Sequence, residues 1–169
     1  MSIIETLQKH DIKSVWHFTD KSNLKSIEKY GILALTEIIK NDVDVSHFGA
    51  DSLSHNLDMQ YGLDKYVHLS FIDDHPMYHV AKRRGSIVSP VWIELDLALI
   101  FEKTTIFSDK VANGRNAKRF NINDIERMID FDTMLMQYNT ESRRNARKAE
   151  IMVANKISTD QILGVYYGK

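Results

Sequence analysis

The stretch SVWHFTD, residues 14–20, places His17 two residues before Thr19 within a run of strand character. Residues two apart on a strand share a face. His17 and Thr19 therefore stand on one side, and Trp16 and Phe18 on the other. With Trp16 and Phe18 turned to the core, the polar pair lines something wet or something bound. The alternative is a half-exposed sheet surface. A second candidate is Glu150, which opens the apolar run EIMVA directly after Arg143, Arg144, Arg147 and Lys148. A carboxylate anchored at a strand mouth suits a general base. It equally suits a strand-end salt bridge.

His75 and His79 are four apart in HPMYHVAKRRG, so a helix would turn both the same way, with Asp73 and Asp74 just before them. That spacing raises a metal site. However, Pro76 and Met77 occupy the place of the catalytic Glu of a zinc-protease motif, and no distant ligand stands out. The expectation is no metal: His75 helps the helix start and His79 packs against the core. The chain has no G-x-S-x-G, P-loop or G-x-G-x-x-G.

These residues need elements to hold them. Ser2 and Glu5 have capping-box spacing before a first helix, SIIETLQKH. VWHFT is a strand. KSNLKSIEKYGIL reads as a helix, with Leu24, Ile27 and Tyr30 at helical spacing and Gly31 as its stop. Residues 41–64 are polar and irregular, with a short helix around DSLSHNLD. YVHLSF alternates as a strand. HPMYHVAKRRG has Pro76 in its first turn and Gly85 at its end. PVWIELDL and TTIFS are strands, NINDIERMIDFDTMLMQY is one helix or two, and AEIMVA and ILGVYYG are the last strands. Strands and helices do not alternate regularly, which favours α+β over a doubly wound sheet.

At 169 residues, with 43% hydrophobic and 27% charged, one domain over residues 1–169 is expected. The formal charge of −1 gives no global field for nucleic acid, so any such surface must be local. The absence of cysteine removes disulfides and thiolate chemistry and fits a reducing compartment. No apolar run nears the roughly 18 residues of a membrane span, and the N-terminus lacks the pattern of a secretory signal. A cytoplasmic protein with no membrane partner is expected.

The opening WHFTDKSNLKSIEKYGIL resembles that of the DarT family of DNA ADP-ribosyltransferases: His17-x-Thr19, then Asn23-Leu24, a helix, and Gly31-Ile32-Leu33. GLDKYVHLSFIDDHPMYHVA is similar to the family's central strand and Pro-Met segment, here Pro76 and Met77. RKAEIMVANKISTDQILGVYY looks like its last motif, in which Ala-Glu opens a strand. The resemblance implies an ADP-ribosyltransferase-type fold: two small sheets forming an NAD cleft, with flanking helices. NAD is then a substrate and no metal is required. His17 would bind the NAD ribose, and Phe18, Thr19, Asn23, Ser26 and Ser70 would line the rest of the cofactor site. Glu150 corresponds to the catalytic Glu. Nicotinamide departure leaves a sugar with oxocarbenium character, which a nearby carboxylate stabilises.

The chain departs from the family at one point. Better-known members carry a catalytic Arg before the second strand, and DSLSHNLDMQYG has none; His55 stands near that place. The acceptor loop of such folds precedes the catalytic Glu, so Arg143, Arg144, Arg147 and Lys148 would meet nucleic-acid phosphates, with Arg115, Lys118 and Arg119 as an extension or as a solvated face. The function implied is ADP-ribosylation of a base in single-stranded DNA by the toxin of a toxin–antitoxin or phage-defence pair, with a macrodomain antitoxin as partner. The alternatives are transfer to RNA or protein, or a non-catalytic nucleotide-binding relative.

Overall fold

The structure is a computed structural model describing residues 2–45, 47–48 and 52–168; position 51, in the expected helix around DSLSHNLD, lies outside them. In chain order the elements are α1 (Ile3–Lys9), β1 (Ser14–Asp20), α2 (Leu24–Tyr30), β2 (Ile32–Leu33), α3 (Leu35–Lys40), α4 (Ser52–Tyr61), β3 (Tyr66–Leu69) and α5 (Pro76–Arg84). Then come β4 (Pro90–Asp96), β5 (Ile106–Ser108), β6 (Arg119–Phe120), α6 (Ile125–Met128), α7 (Phe131–Leu135), α8 (Glu141–Ala146), β7 (Glu150–Ala154), β8 (Lys156–Ile157) and β9 (Ile162–Tyr167). Local chemistry sets the helix ends. Ser2 and Glu5 form the capping box. Pro76 starts α5, and Gly85 ends it in the left-handed region at φ 74°. The 121–138 segment divides because Ile129 is extended and Asp130 caps a new helix, accepting from the Thr133 N–H.

The strands form three antiparallel sheets of order β1-β4-β9, β3-β7-β5-β6 and β2-β8. This is the expected α+β architecture of small sheets with flanking helices. Among the described residues a single bridge links the two larger sheets: Trp16 and Ser70 exchange backbone bonds of 2.9 and 2.8 Å. From that bridge the sheets part. Val15, Ile93 and Leu95 of the first sheet share a core with Val67, Leu69, Phe107, Ile151 and Val153 of the second. A slip of one residue in β7 would swap Ile151 and Val153 for Glu150 and Met152, so burial fixes the register.

The core lies on the unexpected face of β1. His17 and Thr19 share the side of Val15, which is fully buried. Trp16 and Phe18 instead face α5 and β9. Phe18 packs against Tyr78 and Trp92 at 5.7 and 5.4 Å between ring centroids, and Trp16 against Tyr166 at 5.6 Å. Both faces of β1 are covered, and the polar pair occurs where the two sheets diverge.

The end of α2 presses on the small ribbon. Gly31 has φ 80°, and a Cβ there would stand 2.2 Å from the Ile157 carbonyl oxygen. Only glycine fits on both counts.

Candidate active site

Glu150 is the first residue of β7, opposite Ser108, while His68 of β3 is opposite Met152. Alternation puts Glu150, Met152 and His68 on the face away from the core residues Ile151 and Leu69. Glu150 is only 7% exposed, yet it lines the cleft. Its Oε2 lies 3.1 Å from His68 Nδ1 and accepts from the Ala112 N–H at 3.0 Å. Its Oε1 lies 3.9 Å from His75 Nε2. Burial alone would raise the Glu150 pKa. The His68 bond and charge, His75 and the Ala112 amide outweigh it and hold the carboxyl below its ordinary range. Burial opposes charge on His68 too, but the Glu150 bond and charge, with Asp58, raise it overall.

His75 caps α5 as expected, its Nδ1 accepting from the Met77 N–H at 3.2 Å. Its ring is also buried beside Glu150, and burial pushes its pKa down. Asp58 of α4 accepts from Asn113 Nδ2 at 2.9 Å, and burial raises its pKa. Arg119 stacks over the Tyr61 ring at 5.3 Å and donates to the Ala112 carbonyl at 2.9 Å. The loop after β5 is thus fastened to α4 on one side and to Glu150 on the other.

The other wall comes from β1 and α2. His17 Nδ1 lies 3.0 Å from the His68 carbonyl oxygen, just where β3 leaves β1. Asn23 Nδ2 donates to Thr19 Oγ1 at 3.0 Å and to the His47 carbonyl at 2.6 Å. Ser70 Oγ donates to the Ile72 carbonyl at 2.6 Å. One cleft, open to solvent, is lined by His17, Phe18, Thr19, Asn23, Ser26, His55, Ser70 and Glu150. The chosen residues of three distant segments therefore meet. Its cavity volume of about 230 Å3 lies a little below the roughly 300–1,000 Å3 of common ligand pockets. Ile32, Leu33, Ile38, Val43 and Val45 make an apolar end, and His55 packs edge-on against Phe48 at 4.9 Å.

Two placements correct the expectations. His79 does not sit against the core: its side chain is 52% exposed and its Nε2 bonds Asp74 Oδ1 at 2.6 Å. Asp74 draws it to the surface, so His75 and His79 look in different directions. Arg147 is turned inward, 11% exposed, paired with Asp74 and donating to the Met134 carbonyl at 3.0 Å. It anchors the loop before Glu150 rather than presenting a free cation. Arg144 is exposed, and Arg143 and Lys148 are half-buried. Among the described residues no group of three or more His, Asp or Glu side chains is arranged to hold a metal ion.

Sequence reasoning missed His68, Asp58 and the Ala112 amide. His68 and Ser70 repeat the two-apart polar pattern of His17 and Thr19, so the signal for His68 was present in YVHLSF.

The fold has solved counterparts. Thermosipho africanus DarTG in complex with ADP-ribose superposes with TM-score 0.76 at 17% identity, over 93% of this chain and 44% of that one. This chain thus spans less than half of the Thermosipho chain. Thermus sp. 2.9 DarT in complex with ADP-ribosylated ssDNA gives TM-score 0.73 at 17% identity, over 94% of this chain and 83% of that one. The same Thermus protein in complex with NAD+ gives 0.65 at 17% identity over the same shares. A search of curated proteins finds no match. A family model described as "ssDNA thymidine ADP-ribosyltransferase, DarT" matches residues 16–169, from β1 to the C-terminus, and the chain belongs to that family.

Proposed function

We propose that this chain, working as one unit over residues 1–169, takes NAD and transfers its ADP-ribose to a base of single-stranded DNA. The observation that carries the reading is the buried Glu150 facing the same cleft as His17 and Thr19. His17, Phe18, Thr19, Asn23, Ser26 and Ser70 hold the dinucleotide. The bond from C1′ to nicotinamide breaks and its electron pair leaves with the ring. A nucleophilic atom of the base then bonds to C1′. Glu150 faces the developing positive charge and takes the proton the acceptor loses. His55 stands at the cleft where the acceptor enters. Arg143, Arg144 and Lys148 meet the phosphates, while Arg147 holds their segment in place.

The role proposed with it is that of the toxin of a toxin–antitoxin pair, with a macrodomain antitoxin as partner. No described helix is long and apolar enough to cross a membrane, and a DNA substrate would be met in the cytoplasm, the location proposed here. Labelled NAD offered with single-stranded DNA, RNA and protein in parallel tests the reading. Label entering DNA supports it. Label entering only RNA or protein, or no transfer at all, overturns it.

A further inference from the structure

We propose that His68 is a positioning residue for Glu150: as an imidazolium it ties down Oε2 together with the Ala112 amide, leaving Oε1 as the oxygen that meets the substrate. The inference rests on Glu150 being the catalytic carboxylate and gives that carboxylate a partner and a direction.

Oε2 receives two donors, at 3.1 and 3.0 Å. A carboxylate oxygen offers two good lone-pair sites, so Oε2 is filled. Oε1 has His75 Nε2 at 3.9 Å, beyond hydrogen-bond reach. The Met77 N–H occupies Nδ1 of His75, so the proton of its neutral ring sits on Nε2. Beside Oε1 there is thus a neutral N–H held just too far away to compete.

The charge on His68 follows from its surroundings. Its Nδ1 faces the Glu150 carboxylate at 3.1 Å, while its buried Nε2 has no hydrogen-bond partner among the described residues. The groups facing it are Glu150 from β7 and Asp58 from α4, which favour the cation, and His17 from β1 and His75 from the turn before α5, which oppose it. The balance raises its pKa above the ordinary value of 6.5. Activity should therefore be full below that raised value and fall as pH rises through it, when the cation is lost.

The experiment measures transfer rate against pH for wild type, His68→Gln, His68→Lys and Glu150→Gln, with NAD affinity measured separately. His68→Gln should turn over about 10- to 100-fold more slowly, the loss of one charge-assisted hydrogen bond, with NAD affinity unchanged and no alkaline fall. His68→Lys should recover part of the rate and also lack the alkaline fall. In wild type, nitrogen NMR should show both His68 ring nitrogens protonated below pH 6.5, a readout that needs no folded variant. A neutral His68 ring in that spectrum overturns the proposal. So does a His68→Gln enzyme with wild-type rate and pH profile while Glu150→Gln is inactive. An active Glu150→Gln enzyme instead removes the reading on which the inference rests.

Discussion

Asp20 and Glu150 are both buried carboxylates at strand ends, 3% and 7% exposed. Their partners differ. Asp20 accepts from the Ser22 N–H at 2.9 Å, the Ser22 hydroxyl at 2.8 Å, and the N–H groups of Val88 and Ser89 at 2.7 and 2.8 Å. Both of its oxygens are filled by donors that do not titrate. Burial works against its charge, but these bonds bring its pKa down to about 2. Glu150 has two donors on one oxygen, one of them an imidazole, and its other oxygen is unbonded among the described residues. Asp20 is a latch between the end of β1 and the loop before β4. Burial and charge do not separate a latch from a reactive group; saturation by fixed donors does.

The largest effect expected from breaking this contrast is at Glu150. Glu150→Gln should lower transfer by about 10²–10⁴-fold, the usual loss of a positioned base, while circular dichroism shows an intact fold. Near-normal transfer would make Glu150 a second latch. Next comes Asp20→Asn, which should cost about 2 kcal/mol of stability, since one pKa unit is worth about 1.4 kcal/mol. The sign follows from a depressed carboxyl: the contribution is complete above the unfolded pKa near 4 and is lost as pH falls towards 2. Urea melts of the two proteins should converge in acid. If Asp20→Asn melts like wild type at neutral pH, the latch is not one.

His17→Ala tests the cleft opposite Glu150. NAD affinity, measured calorimetrically, should fall by about tenfold, the worth of roughly one net hydrogen bond. Unchanged affinity with an intact fold would leave His17 as part of the sheet junction only. The smallest expected effect is on salt dependence. Changing Arg144 and Lys148 together to Glu should flatten the slope of log affinity for single-stranded DNA against log salt by about 0.7 per lost phosphate contact. The same slope in both proteins would make that face a solvated surface.

Much of the site was legible because strand alternation is local. His17 with Thr19, and Glu150 at the head of an apolar run, can be picked out by period and position alone. His68 lay in an equally readable pattern, but its importance depends on β3 pairing with β7, which joins segments about 80 residues apart in the chain. The Ala112 amide carries no side-chain signal at all, since a backbone donor is chosen by loop shape. Which face of β1 meets the core could not be read from alternation, because α5 covers the aromatic side, a tertiary fact. Arg147 read as a surface cation because composition cannot show that Asp74, 73 positions earlier, turns it inward. Helix ends with Pro76, Gly85 and Ser2 were readable because caps are chemistry within three or four residues.

Gly31 bears on how such a chain escapes selection. For a protein proposed to poison the cell that makes it, survivors of expression are those whose copy no longer works. Any side chain at Gly31 meets the Ile157 carbonyl and an unfavourable φ, so substitutions there should recur among survivors as often as those at Glu150. A survival screen would score both positions alike. The amount of folded protein recovered from each survivor separates them: full yield from Glu150 variants, little from those at Gly31.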